Sequence, residues 1–231
     1  MTLFKNTLAE RLSSLGIEYN ETVLEQCAAY YERVVEANKR HNLTRITDEA
    51  QAAEQHFADA MALCNAAELT QGCRLIDIGT GAGFPGVPLK LLRSDIDLCL
   101  LDASGKKTDF IKQALADMNV HATVICGRVE ELAHGDLRES FDVVVSRAVA
   151  PLPMLLELSV PLLRSGGILA AWKGETFEQE ISEAASAMET LGCADAGRYA
   201  VGRGAILLIQ KQKPTPKLYP RRFSKIKSSP L

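Results

Sequence analysis

The stretch Leu75-Ile76-Asp77-Ile78-Gly79-Thr80-Gly81-Ala82-Gly83-Phe84-Pro85-Gly86 limits the possible folds more than any other, because an apolar strand runs unbroken into a glycine turn and a helix start. Junctions of this kind bind nucleotides. Gly79, Gly81 and Gly83 can take backbone angles closed to other residues and, lacking Cβ atoms, let a ligand lie on the main chain. Pro85 and Pro88 fit only a first helical turn, so the helix starts there and its N-terminus is expected to face the ligand. A dinucleotide fingerprint requires G-x-G-x-x-G. Here Gly83 comes one residue early and bulky Phe84 follows it, and the G-x-x-x-x-G-K-[ST] phosphate loop is absent. The turn therefore suits an adenosine ligand without pyrophosphate, of which S-adenosylmethionine is the common one.

A second element supports that ligand. Ile96 to Leu101 reads as a short buried strand ending in Asp102. In doubly wound folds an acid about 20 residues past the glycines accepts hydrogen bonds from ribose hydroxyls. Asp102 also precedes Ser104-Gly105, so capping of the following helix is the competing reading.

The rest of the chain reads as an α/β protein with a helical start. Leu24, Cys27, Ala28, Tyr31, Val34 and Val35 follow the spacing of an amphipathic helix, and Phe57, Met61 and Cys64 suggest another, giving a helical N-terminal region over 1–70. From Cys73, β-like runs at 73–78, 97–101, 121–126, 141–146 and 167–173 alternate with helical runs near 85–93, 106–119, 151–163 and 176–191. That alternation predicts a parallel sheet covered on both faces. Segments 195–200 and 204–211 meet at Gly202-Arg203-Gly204 as a hairpin, so the sheet ends antiparallel and the α/β domain covers 71–212.

Composition bounds the surroundings. No apolar run approaches the ~20 residues of a membrane span, and Glu10 and Arg11 stand where a signal peptide would be apolar. The six cysteines are scattered without a C-x-x-C pair and read as buried thiols of a cytoplasmic protein, expected as a monomer. The net charge of −3 hides an asymmetry: from Lys211 onward the chain holds Lys213, Lys217, Arg221, Arg222, Lys225 and Lys227 and no acid. This basic tail, 213–231, is interleaved with Tyr219 and Phe223, and it reads either as an arm that touches phosphates and bases or as a solvated end without a partner.

Other polar groups cluster at predicted strand and helix ends. Lys39 and Arg40 sit at the end of the first helical pattern, either as cations on the helix dipole or as a surface facing substrate. Lys106 and Lys107 open the helix after Asp102, either exposed or contacting phosphate. Val129 and Glu130 follow the third strand of the fold, where they could hold an adenine ring, with Glu130 equally readable as a carboxylate in the first turn of a helix. Arg147 ends an apolar strand at the rim of the crevice, with a salt bridge as the plain alternative. His56 reads as a hydrogen-bonded structural histidine, and no residues stand at metal-ligand spacing. The segment after that strand lacks both an Asn/Asp-Pro-Pro-aromatic motif and a nucleophilic cysteine, so the atom it alkylates should already carry a usable lone pair.

Joined together, these segments resemble the bacterial small-subunit ribosomal RNA guanine-N7 methyltransferase family, also called glucose-inhibited division protein B, over nearly the whole chain. The matching pieces are Asn38-Lys39 with Asn42-Leu43-Thr44, His56 with Asp59, Asp77 to Gly86, Leu101-Asp102 with Gly105-Lys106-Lys107, Arg128-Val129-Glu130, Ser146-Arg147-Ala148 and Lys173-Gly174. The chain departs from the pattern at Ala37, where the family usually has Trp, and at Ala60 and Ala103, where Ser is common. The resemblance implies a Rossmann-like, class I S-adenosylmethionine-dependent fold acting on 16S ribosomal RNA or the small subunit. It further implies cofactor contacts by Gly79, Phe84, Val129, Glu130 and Arg147, with Asp102 near the ribose. The target, guanine N7, is unprotonated at neutral pH and needs no general base. A small-molecule methyltransferase, a noncatalytic RNA-binding factor and a nicotinamide-dependent oxidoreductase are the alternatives.

Overall fold

The computed structural model describes residues 2–231. Seven strands form one sheet: β1 Arg74–Ile78, β2 Asp97–Asp102, β3 Thr123–Cys126, β4 Phe141–Arg147, β5 Leu163–Lys173, β6 Cys193–Val201 and β7 Gly204–Lys211. Their order is β3-β2-β1-β4-β5-β7-β6, parallel through β5 and antiparallel at the β5–β7 and β7–β6 pairs. The chain runs outward from β1 to β3 and then returns to β4 beside β1. That reversal is a topological switch point, where crevices open above the carboxyl ends of strands.

Helices α1 (Thr2–Ser14), α2 (Glu21–His41), α3 (Glu49–Ala52), α4 (Asp59–Met61) and α5 (Leu63–Ala66) precede the sheet, with a π-helical turn at Ala53–Ala58. The long α2 begins where the Asn20 side chain accepts the Val23 N–H and ends at Asn42 in the left-handed conformation, with Lys39, Arg40 and His41 in its last turn. Within the sheet region follow α6 (Gly86–Leu92), α7 (Gly105–Asp117), α8 (Val129–Leu132), α9 (Leu152–Ser159), α10 (Phe177–Glu183), α11 (Ala185–Leu191) and α12 (Phe223–Ser228).

Alternation along the central strands supplies both faces with apolar side chains. Leu75, Leu98, Leu100, Val143 and Val145 join a core with Phe4, Leu8, Tyr30, Tyr31 and Phe57 from the N-terminal helices. Ile76, Ile78, Leu101, Val144 and Leu169 join a second core with Leu155 and Leu156 of α9 and Ile226 of α12. The N-terminal helices are thus a cover for one face of the sheet, as a parallel sheet requires.

The helical N-terminal region expected over 1–70 opens with α1, whose Phe4, Leu8 and Leu12 are fully buried at helical spacing. Three expectations need correction. The 151–163 helix stops early, because Pro161 lacks a donor and the chain passes through a 3₁₀ turn into β5, which starts at Leu163 opposite Phe141. The basic tail is not a loose arm. Lys211 is fully buried, donating to Glu139 (2.7 Å) and the Leu163 carbonyl (2.7 Å). Arg221 donates from Nε (2.7 Å) and its terminal nitrogen (2.6 Å) to the two carboxylate oxygens of fully buried Glu157 on α9. Arg138 reaches the Tyr219 and Thr215 carbonyls at 2.8 Å each, which fastens the tail a second time. Among the cysteines, Cys126 at the end of edge strand β3 is exposed rather than buried.

Candidate active site

Two carboxylates shape the glycine turn. Asp77, fully buried at the end of β1, accepts the Thr80 hydroxyl (2.7 Å) and the Gly86 amide (2.8 Å) on one oxygen, while its other oxygen has no partner. Burial lifts its pKa to about 7, against the pull of these two donors and of Arg147. The amide at the start of α6 therefore faces Asp77, not a ligand, which corrects the expectation of a ligand-facing helix N-terminus. Asp102 accepts the Gly81 amide and the Ser104 amide, both at 2.9 Å, and Lys107 stands 3.7 Å away. Both readings of Asp102 thus have a physical basis: it tethers the entry to α7, and each of its oxygens keeps acceptor capacity toward the cavity it lines.

The glycines divide by what surrounds them. Gly81 (φ +63°) has open space where a Cβ would stand, with only the Gly79 carbonyl near, at 4.0 Å. A Cβ on Gly83 would overlap the Tyr30 hydroxyl, which donates to the Ala82 carbonyl at 2.8 Å. Gly83 consequently serves the seating of α2 on the turn, and it is not among the residues that line the cavity described next. Above Gly79 lies Val149, 2.5 Å from the position a Cβ would take.

A cavity of about 440 Å³ opens over Gly79, Asp102, Val129 and Glu130, closed by Val149–Pro151 and by Phe223 of the tail. Its size lies within the range of small-molecule sites. The Asp102 and Glu130 carboxylates and the apolar Val129, Met154 and Phe223 fit an adenosine moiety, with acceptors for ribose hydroxyls and flat apolar contact for the base, while Gly81, open at its Cα, stands outside the lining of this cavity. Arg128 pairs with Glu130 (3.3 Å) and lies over the Phe223 ring (4.9 Å), joining α8 to the tail across the mouth.

Phe84 and Arg147 lie elsewhere. Phe84 is buried, stacked on His56 with ring centroids 4.5 Å apart and edge-on to Tyr30 and Phe57. Its side chain is a core element that locks the N-terminal helices to the turn, not a wall of the adenosine cavity. Arg147 donates to the Gln55 carbonyl (2.7 Å) and to His56 Nδ1 (2.9 Å), over the Phe84 ring. Since a guanidinium only donates, His56 Nδ1 accepts, and Nε2 carries the proton given to Thr44 Oγ1 at 2.9 Å. Burial first, and the Arg147 charge second, push the His56 pKa down to about 3, so the ring is neutral. His56 is structural, as its sequence setting suggests.

Arg147 instead lines a second cavity of about 660 Å³ with Asp59, His56, Trp172 and Arg203. A space of about 510 Å³ between Asp59, Trp172 and Val149–Pro151 links it to the back of the loop that closes the first cavity. Lys173 holds this loop: it donates to the Ala150 carbonyl (2.6 Å) and pairs with Glu180 (2.7 Å), which also accepts the Leu152 amide (2.7 Å). Lys173 was visible in the sequence only as part of a motif, and Tyr30 was not singled out by the helical spacing at all.

The basic residues separate into three places. Lys39 and Arg40 are exposed and pair with Glu36. Arg40 and Lys106 share the lining of a groove between α2 and α7, so the fold brings these two distant segments to one surface. Arg222 is exposed at the start of α12, whereas Arg221 beside it is turned inward to Glu157 and is withdrawn as a phosphate contact. No three His, Cys, Asp or Glu side chains gather at metal-binding distance among the described residues.

Comparison with known proteins gives the same outline. The family model GidB, described as rRNA small subunit methyltransferase G, matches residues 23–203. A ribosomal RNA small subunit methyltransferase G of Desulfitobacterium hafniense is 39% identical over 94% of this chain and 93% of its own. Another, from Caldanaerobacter subterraneus subsp. tengcongensis, is 39% identical over 97% of both chains. Among solved structures, a SAM-dependent methyltransferase from Aquifex aeolicus superposes with a TM-score of 0.57 at 16% identity, covering 73% of this chain and 96% of that one. A ribosomal protein L11 methylase from Lactobacillus delbrueckii subsp. bulgaricus gives 0.55 at 19% identity over 69% and 79%. These two share the fold.

Proposed function

The chain belongs to the rRNA small subunit methyltransferase G family, and from that membership we propose that it transfers the methyl group of S-adenosylmethionine to N7 of one guanine in small-subunit ribosomal RNA. The observation that carries this reading is the family match across nearly the full chain, joined to a glycine-turn cavity that fits adenosine. Bound there, S-adenosylmethionine supplies an electrophilic methyl group on a sulfonium.

The residues of the chain then have separable tasks. Gly79 lines the cofactor cavity beneath Val149, Gly81 keeps the neighbouring main chain uncrowded, Asp102 and Glu130 accept from the cofactor's hydroxyls, and Val129 with Phe223 hold the adenine. Lys173, through Ala150 and Glu180, fixes the loop between the two cavities. No cysteine lines either cavity among the described residues, which disfavours attack at a pyrimidine carbon, and His56 has both nitrogens engaged. Guanine N7 asks for neither nucleophile nor base: its lone pair lies in the plane of the base and is free at neutral pH. Rate then comes from alignment, and orientation alone can supply on the order of 7–11 kcal/mol. Lys39, Arg40, Lys106, Lys107 and Arg222 are the cations offered to RNA phosphates in this reading.

The test is methyl transfer from labelled S-adenosylmethionine to small-subunit RNA, and to intact small subunits, from a host lacking this protein. The product is mapped by strand cleavage at N7-methylguanine. Cleavage at one guanine is the expected result. Label on an exocyclic amine, or no label despite cofactor binding, overturns the assignment.

A further inference from the structure

Asp59 is a carboxylate with nothing to hold. Its backbone carbonyl accepts the Trp172 indole N–H at 3.0 Å, which fixes the residue, but among the described residues no group donates a hydrogen bond to its side chain. The carboxylate faces the second cavity between Trp172 and the tip of the β6–β7 hairpin, where a Cβ on Gly202 would stand 3.8 Å from Oδ2. Arg11, on the same lining, has a buried Nε without a partner. A desolvated acid and an unsatisfied donor on one cavity wall are costly unless a ligand completes them.

We propose that this cavity receives the target guanine and that Asp59 is the residue that recognises it, accepting N1–H on one oxygen and the exocyclic N2–H on the other. The inference rests on the methyltransferase reading above. Guanine alone among the RNA bases presents two adjacent donors on its Watson–Crick edge, the pattern a carboxylate accepts bidentately. Adenine and cytosine have an acceptor in the ring position, and uracil has a single donor. A purine gripped by that edge presents N7 on its opposite side. Asp59 and Trp172 also line the adjoining space of about 510 Å³, which Val149–Pro151 line as well, and those loop residues line the adenosine cavity too.

The contact also acts on the reaction. The N7 lone pair forms the new N–C bond as the C–S bond breaks and its electron pair stays on sulfur, so the positive charge moves from the sulfonium to the purine. No proton is released, but N1–H becomes more acidic as the ring gains charge. Its hydrogen bond to a carboxylate therefore strengthens on the way to the transition state, which is the condition for raising kcat rather than only lowering KM.

The experiment compares the wild-type protein and Asp59→Asn on small-subunit RNA carrying either guanine or inosine at the mapped position. Asn replaces one acceptor by a donor, and inosine lacks only the N2 amino group. For Asp59→Asn, kcat/KM on guanine RNA should fall at least 100-fold while affinity for S-adenosylmethionine, by calorimetry, stays within twofold. The wild type should lose about tenfold on inosine RNA, and the variant should no longer distinguish the two. Wild-type methylation of inosine RNA at the guanine rate overturns the proposal without any variant, as does full activity of Asp59→Asn. If those results come with N7-methylguanine as the wild-type product, only the pocket assignment fails. If the wild type makes no N7-methylguanine, the functional reading falls with it.

Discussion

The glycine turn and the C-terminal end of the chain both engage carboxylates, and they compensate them in opposite ways. At the turn, Asp77 and Asp102 face main-chain N–H groups of Gly86, Gly81 and Ser104. At the C-terminal end, fully buried Glu157 of α9 faces the guanidinium of Arg221, and Glu139 faces the ammonium of Lys211, the last residue of β7. Amides fix a backbone without neutralising the acid or filling space, so the turn stays open and Asp77 is held with its pKa raised to about 7. Cations do both: burial alone would raise Glu139, yet Lys211 and the Thr215 amide bring it below the usual carboxylate range. The contrast agrees with the proposed division of labour, in which the turn serves binding and the tail closes the fold.

The sharpest way to break this comparison is to remove a tail cation. Arg221→Ala leaves the fully buried Glu157 carboxylate without its partner, and loss of one member of a buried pair costs about 3–5 kcal/mol. Urea unfolding should show that loss, and Arg221→Lys should recover only part of it because the two-pronged geometry needs a guanidinium. A change below about 1 kcal/mol would make the tail the loose arm its composition suggests.

Two neighbouring glycines carry the comparison into the turn itself. Gly83→Ala adds a Cβ against the Tyr30 hydroxyl at φ +85°, so strain and overpacking together should cost roughly 2–4 kcal/mol. Gly81→Ala meets open space and should cost only about 1–2 kcal/mol of strain, while cofactor affinity, by calorimetry, drops about tenfold. Equal stability losses at the two positions would erase the distinction drawn between them.

A smaller effect separates the acids by pH. The folded pKa of Asp77 is raised above its unfolded value, so its contribution is fully present below about pH 4 and is lost as pH rises toward about 7. His56 has the reverse sign: its folded pKa is lowered to about 3, so its contribution is present above about pH 6.5 and is lost as pH falls. The two slopes oppose each other between pH 4 and 7. Asp77→Asn, which can still accept from Thr80 and Gly86, should therefore make stability rise more steeply over that window. Unfolding midpoints at pH 4, 5, 6 and 7 for both proteins measure it, and parallel profiles would count against the buried-acid account.

The same contrast explains what could be read in the sequence. The turn was legible because its constraints are local: alternating glycines, an acid near a strand end and a second strand ending in Asp102 sit within one β-α-β unit. Strand alternation likewise exposed the sheet, its two covered faces and its antiparallel end. What stayed hidden depends on residues far apart. Nothing near Arg221 tells that Glu157, on a helix 64 positions earlier, lies beneath it. Likewise, Gly83 looks like its neighbours until Tyr30, 53 positions earlier in the numbering, is placed against it. Charge pattern reports how many cations a segment has, whereas burial decides how many of them reach solvent.

The last and smallest effect tests that statement on adjacent residues. Arg221 and Arg222 are chemically identical, but one is turned to Glu157 and the other is exposed at the start of α12. Arg222→Ala removes no buried contact and should change stability by less than about 0.5 kcal/mol. If its charge meets a phosphate in the complex, the slope of log affinity against log salt on small-subunit RNA should become shallower by about 0.7–0.9, one phosphate's worth. Removing Arg221 should act on folding instead: at temperatures where the Arg221→Ala protein remains folded, its salt slope should match the wild type's. An unchanged slope for Arg222→Ala would leave the α2–α7 groove, with Arg40 and Lys106, as the surface that carries the RNA contacts.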